Sequence, residues 1–327
     1  MSKARTPLEI RAFAPGDLDA AAELLAERHR RHRTAEPLLD PAFEVASGAR
    51  PEIEALLSGD RADAWVAVRD GALVGYLIGV SRSEATWGPN VWVEVAGHAA
   101  SDPSAIRPLY AQAAAGWVGA GRANHFALVP ASDSGLVDAW FSLDFGQQHL
   151  HAVVDPPPPG FGSVPRSDLT IRRATRADLP ALVQLDRSLP DHLAESPVFS
   201  RLPPMPEAEA VAELESDLHD PRYTYLVAEH EGRVIGSAIA CSLEMSSGAT
   251  GLNRPLNAGF LGFAAVMPEA RRLGVGRALG EAVLAWSRDQ GYASIATDWR
   301  STNLEADRAW RGMGFRPTFR RLHRAIT

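Results

Sequence analysis

The stretch of this chain best suited to chemistry is Arg271-Arg272-Leu273-Gly274-Val275-Gly276, followed by Arg277. Glycine reaches backbone angles closed to other residues and lets a ligand approach the main chain. Set between a strand and a helix, the amides of Arg272 to Arg277 can point at one anion, helped by the helix N-terminus. Arg271, Arg272 and Arg277 supply the positive charge that a phosphate or pyrophosphate needs. The spacing is neither the GxGxxG of a dinucleotide site nor the GK[ST] of a P-loop.

The elements around this loop fit that job. Ala258 to Val266 is a mostly apolar run, as expected of a buried strand, and Pro268 stops it. After the loop, Leu279, Val283 and Trp286 fall on one face of an amphipathic helix, for which Gly291 is a C-cap. Ala293 to Asp298 reads as the next strand, and Asn303 to Met313 as a helix ended by Gly314. A final strand or strand pair runs from Phe315 to Ile326. Upstream, Leu169 to Ala174 reads as a strand and Arg176 to Arg187 as a helix. Glu207 to Leu218 reads as a second helix. Tyr223 to Glu229 and Val234 to Leu243 form a hairpin turning at Glu231-Gly232.

The same order runs through the first half. Leu8-Glu9-Ile10-Arg11 is echoed by Leu169-Thr170-Ile171-Arg172, Asp17 by Asp178 and Gly75 by Gly236, all at an offset of 161 residues. Further on the offset becomes 170: Gly121 matches Gly291, Trp140 matches Trp310 and Phe145 matches Phe315. An ungapped series in one order implies two copies of a fold rather than a short-period solenoid. The run from Asp155 to Gly162 holds four consecutive prolines, which favour polyproline II and read as a linker. The expected division is therefore a first domain over 1–155, a linker over 156–167 and a second domain over 168–327.

Val266, Pro268, Arg271, Gly274 and Gly276 match the strand–V-x-P–x-x-[QR]-x-x-G-x-[GA]–helix signature, so the second half resembles the GCN5-related N-acetyltransferase (GNAT) family. Asn303, Ala306, Trp310, Gly314 and Phe315 match that family's second motif. The resemblance implies an α/β fold of two tandem GNAT-like domains. Each would be a mixed, mostly antiparallel sheet of six to seven strands flanked by helices, with splayed central strands. It further implies acetyl-CoA as cosubstrate, its pyrophosphate on Arg271 to Arg277 and its pantetheine arm along the strand ending at Val266. An amide near Ala265 or Val266 would polarise the thioester carbonyl. Asn303 and Trp310 join the expected cofactor-binding residues. The acceptor it implies is a primary amine of a small molecule, attacking directly in a ternary complex.

Trp310 stands where many members carry a tyrosine that protonates the leaving thiolate. An indole N–H cannot act as a general acid near neutral pH, and the favoured reading of Trp310 is a core residue on the apolar face of its helix. For a general base the candidates are Glu244 and Asp298. Glu244 shares an alternating strand face with Ala238, Ala240 and Ser242, and Asp298 closes the strand beside the expected cofactor. Both also read as solvated strand-end carboxylates, and His323 is a weaker candidate. The stretch from Asp191 to Pro206, with His192, Phe199, Pro203 and Pro204, is the expected substrate-facing loop. In the first copy Ser101-Asp102-Pro103-Ser104-Ala105-Ile106 replaces the loop, with both glycines gone and an aspartate that repels phosphate. This copy is expected to be degenerate.

Composition narrows the partners. The chain has 327 residues, a net charge of -7 and one cysteine, Cys241, which reads as a small core residue. Neither nucleic acid nor a membrane is expected as a partner, nor a metal. His98, His125, His149 and His151 lack the carboxylate or cysteine spacing of a ligand set. The N-terminus lacks the apolar stretch of a signal peptide, which points to the cytoplasm. The sequence fixes no oligomeric state. Two readings compete with the enzyme acting on a small amine: an acyl-CoA-binding or sensing protein, and a protein N-acetyltransferase.

Overall fold

A computed structural model describes residues 6–84, 86–161, 168–201, 205–246 and 251–327. Part of the expected linker (162–167) and Pro203 and Pro204 of the expected substrate loop lie outside the described residues. The first half contains β1 (Glu9–Ala12), α1 (Leu18–Ala35), α2 (Ala46–Leu57), β2 (Ala62–Arg69), β3 (Ala72–Glu84), β4 (Gly88–Val93) and β5 (His98–Ala100). It continues with α3 (Ile106–Gly119), β6 (Asn124–Pro130), α4 (Ser134–Phe141) and β7 (Gly146–Val154). The second half contains β8 (Thr170–Arg173), α5 (Leu179–Ala194), α6 (Glu207–His219), β9 (Tyr223–His230), β10 (Arg233–Ser242) and β11 (Ala258–Val266). It ends with α7 (Val275–Asp289), β12 (Ser294–Arg300), α8 (Leu304–Gly312) and β13 (Arg316–Ala325).

The chain forms two compact units. Their boundaries differ from the expected domains at both closing strands. Unit 1 comprises residues up to His149 together with Gly251–Asn253 and Thr318–Thr327. Unit 2 comprises Leu150–Thr250 and Arg254–Pro317. From Thr318 on, β13 belongs to unit 1, where it pairs antiparallel with β6 from Phe319↔Pro130 to Ala325↔Asn124. Phe319 and Leu322 are fully buried there. From Leu150 on, β7 belongs to unit 2, whose core takes Leu150, Ala152 and Val154 beside Ile295 and Trp299. The sequence places a closing strand here, but tertiary packing decides which strand it pairs with.

The repeat is visible in matched details. In unit 1, Arg11 donates two 2.7 Å hydrogen bonds to Asp17, whose carboxylate also accepts from the Ala14 amide at 2.8 Å. In unit 2, Arg172 donates two 2.8 Å bonds to Asp178, which accepts from the Thr175 amide at 2.7 Å. Each pair fixes the turn from first strand to first helix. The two hairpins also match. Asp70 and Gly71 have φ of 54° and 77°, and Glu231 and Gly232 have 48° and 75°, two consecutive left-handed residues as a tight hairpin turn requires.

In unit 2 the strands run β8-β9-β10-β11-β12. All neighbours are antiparallel except β11 and β12, which run parallel from Ala258↔Ser294 to Leu261↔Thr297. At that last pair the buried Thr297 hydroxyl donates to the Leu261 carbonyl at 2.9 Å. Beyond it β11 continues to Val266 against β10 alone, with a register shift opposite Ile239 and Ala240. The central strands thus part where the expected cofactor site begins.

Helix α7 covers this sheet through Leu279 and Val283, both fully buried. Its close approach depends on Gly236. A Cβ there would stand 3.0 Å from Val275 Cγ1 and 3.1 Å from both Leu279 Cδ1 and the Ala265 carbonyl oxygen.

Candidate active site

The glycine loop takes up the backbone geometry its residue types allow. Gly274, with φ of 79°, is the N-cap of α7, and Arg272 also lies in the left-handed region at 66°. No side chain caps the helix, and its first backbone bond runs from the Ala278 amide to the Gly274 carbonyl at 3.0 Å. The amides of Val275, Gly276 and Arg277 therefore carry no intrahelical bond. They open onto a cleft of about 440 Å³.

Of the expected cofactor residues, Ala265, Val266, Arg271, Arg272, Gly274, Val275, Gly276, Arg277, Asn303 and Trp310 line this cleft. Leu273 does not, and is 54% exposed. Its side chain faces solvent. Gly276 leaves the cleft floor open beside Val266, whose Cγ2 would lie 3.6 Å from an added Cβ. The Met267 amide bonds the Ile235 carbonyl of β10 at 2.9 Å. Strand alternation then aims the amides of Ala264 and Val266 away from β10, toward the side from which β12 has parted. The amide of Ala265 faces β10 instead.

Asn303 caps α8, its side-chain oxygen accepting from the Ala306 amide at 3.1 Å. Trp310 is 8% exposed and packs with Phe315 at a ring separation of 6.2 Å, so it belongs to the core and lines the cleft at once.

The two expected base candidates are not in the wall of the cleft. Strand β10 ends at Ser242, and Glu244 sits exposed in a short 3-10 turn, where strand alternation no longer sets its direction. Asp298 is half-buried on β12, on the opposite face from the buried Thr297 and Trp299, and is already engaged by a neighbour. His323 lies in unit 1, where it stacks on Phe126 at 4.6 Å and bonds the Asn124 side chain at 3.0 Å.

Sequence reasoning missed the wall supplied by α5. That helix was expected to end at Arg187, before Pro190, yet it continues to Ala194 with the proline inside it. Ser188, Leu189 and His192 therefore reach the cleft from a helix rather than a loop. Arg271 Nη1 donates to His192 Nδ1 at 3.3 Å, tying α5 to the glycine loop. From α8 come Glu305, Ala306, Arg308, Ala309 and Gly312, of which the motif signalled only Ala306. Phe199, 72% exposed with φ of 50°, follows α5, and its neighbour Ser200 accepts from Arg300 of β12 at 2.7 Å.

The matching region of unit 1 is built differently. Asp102 accepts from the Ser104 amide at 3.1 Å and the Ser104 hydroxyl at 2.7 Å, and pairs with Arg69 at 3.0 Å. A carboxylate of the chain itself thus occupies the turn before α3. Among the histidines, His98 bonds the Leu128 carbonyl at 2.9 Å, and burial pushes its pKa down to about 3. His125 bonds Tyr110 at 2.7 Å, with burial pushing it down to about 4. His149 accepts from Arg321 at 3.1 Å, and His151 also has a partner. No group of three or more metal-ligating side chains gathers among the described residues. Nor is any helix among them long and apolar enough to cross a membrane.

Comparison with known proteins agrees with this architecture. Residues 188–315 match the model of the acetyltransferase (GNAT) family. The chain is 32% identical over 152 residues, 46% of its own length and 88% of the relative's, to an aminoglycoside N(6')-acetyltransferase type 1 of Stenotrophomonas maltophilia. The solved structure of a GCN5-related N-acetyltransferase from Sphaerobacter thermophilus matches 98% of both chains with a TM-score of 0.60 at 17% identity, a likeness of fold. On the identity to the Stenotrophomonas relative and the family match across the cleft, the chain belongs to the GNAT family and is an acetyl-CoA-dependent N-acetyltransferase.

Proposed function

We propose that unit 2 binds acetyl-CoA in the cleft between β11, α7 and α8 and transfers its acetyl group to a primary amine of a small molecule. The observation that carries this is the uncapped N-terminus of α7 behind a left-handed glycine, beside strands that have parted. In this reading the pyrophosphate lies on the amides of Val275 to Arg277, with Arg271 beside it. The pantetheine arm follows β11, and the Val266 or Ala264 amide donates to the thioester oxygen as negative charge develops there.

The neutral amine attacks the carbonyl carbon in a ternary complex, and the C–S bond breaks with its electron pair on sulfur. Trp310 offers no acid for the thiolate, so the proton that the attacking nitrogen sheds reaches the sulfur through water, leaving the amide and the CoA thiol. Thiolate is a good enough leaving group for this to suffice.

Aminosugars are the first acceptors to screen, because the Stenotrophomonas relative is an aminoglycoside N(6')-acetyltransferase. The net charge of -7 also favours encounter with cationic amines. The test is release of the CoA thiol over a panel of aminosugars, polyamines and peptide N-termini. Turnover confined to small amines agrees with the proposal. Acetyl-CoA binding without turnover on any amine contradicts it.

A further inference from the structure

One arginine beside the glycine loop is held in a way that helix stability does not explain. Arg277 stands in the first turn of α7, lines the cleft and has a side chain 69% exposed. Its Nε donates to Glu281 Oε1 at 2.8 Å, one turn further along the helix. A cation in the first turn opposes the helix dipole. The order of the pair, base before acid at i,i+4, is also the weaker of the two.

Glu281 carries the larger cost. Its side chain is only 6% exposed, and its Oε2 is buried and, among the described residues, accepts no hydrogen bond. A carboxylate withdrawn this far from water is costly unless a cation matches it. Arg277 is that cation, and Glu281 engages it at Nε. A guanidinium has N–H donors on all three nitrogens. Those of Nη1 and Nη2, at the far end of the fork, carry no bond among the described residues.

The first copy isolates the role of the acid. At the offset of 170 that aligns the two loops, Leu279 answers to Leu109 of α3, and both are fully buried. Arg277 answers to Arg107, but Glu281 answers to Ala111, which is exposed. The copy without the glycine loop keeps the arginine and lacks the carboxylate that would hold it.

We propose that Glu281 is a positioning residue for the cofactor, holding Arg277 by Nε so that its Nη groups meet a phosphate of acetyl-CoA at the N-terminus of α7. This rests on the acetyl-CoA reading of the same cleft. One arginine then bridges the buried carboxylate and the ligand, with a different edge of the fork for each. The long side chain is ordered before the cofactor arrives, so less freedom is lost on binding.

The test is calorimetric titration of acetyl-CoA into the full chain, with circular dichroism to establish folding. Glu281→Leu, which fills the buried position without an acceptor, is expected to weaken binding ~fivefold, the scale of ordering one long side chain. Glu281→Gln keeps an oxygen that can accept from Nε, and should bind within about twofold of wild type. In an Arg277→Ala background, Glu281→Leu should have no further effect, because it acts only through Arg277. Arg277→Lys, exposed and so safe for folding, keeps the charge but has no Nε to be held, and should lose affinity as Glu281→Leu does. Tighter binding by both Glu281 variants would mean that the carboxylate merely repels the phosphates, and would overturn the proposal. Equal weakening by Glu281→Leu with and without Arg277 would mark a purely structural role and overturn it too, as would unimpaired binding by Arg277→Lys. Those results leave the acetyl-CoA reading standing, whereas no binding by folded wild type removes both.

Discussion

Arg271 is the residue on which cofactor charge is expected to fall, since it alone of the loop arginines bridges to α5, through His192. Arg271→Ala should weaken acetyl-CoA binding by about 1.5 kcal/mol, roughly tenfold, as loss of a hydrogen bond to a charged group does. The effect should shrink as salt rises, because the contact is ionic; calorimetry at low and high salt checks both. Residues of the loop were legible because one short segment carries glycine, arginine and a helix start together. Glu244 stands outside the wall of the cleft for a different reason. Alternation gives a side chain's direction only while the strand lasts, and β10 stops at Ser242.

Element by element, the paired turns of the two units make a prediction that depends on pH. The two hydrogen bonds from Arg172 hold the Asp178 carboxyl down at about 2. In the unfolded chain it titrates near its ordinary value of about 3.9. A carboxylate with a depressed folded pKa adds stability above the unfolded value and loses it as pH falls toward the folded one. Asp178→Asn should therefore lower the Tm at pH 7 and flatten its dependence on pH between about 4 and 2, as scanning calorimetry would record. Equal pH dependence in both proteins would remove this role. Packing of α7 on β10 makes another claim. Gly236→Val puts carbon where Val275, Leu279 and a backbone oxygen already stand, and should cost about 1–3 kcal/mol in chemical denaturation. Most strands and helices of unit 2 were legible from period and punctuation. The length of α5 was not, since a proline in mid-helix loses one hydrogen bond, a loss that packing of Leu182 and Leu185 offsets here.

At the scale of the whole molecule, the repeat foretold two copies but not which strand closes which unit. A fragment of residues 168–327 would lack Leu150, Ala152 and Val154 from its own core. It would also leave Phe319 and Leu322 without the unit 1 cores they join. Such a fragment is expected to be insoluble or to lack cooperative unfolding, whereas the full chain unfolds cooperatively; circular dichroism against temperature distinguishes them. A fragment with a sharp transition would contradict the assignment of the closing strands. The central claim, that the glycine loop of unit 2 is where acetyl-CoA binds, is tested most directly by calorimetric titration of acetyl-CoA into wild type and a Gly274→Glu, Gly276→Glu double variant. Circular dichroism establishes that both are folded. One acetyl-CoA per chain for wild type, and none for the folded variant, is the expected result. Undiminished binding by the folded variant, or none by folded wild type, would contradict the account.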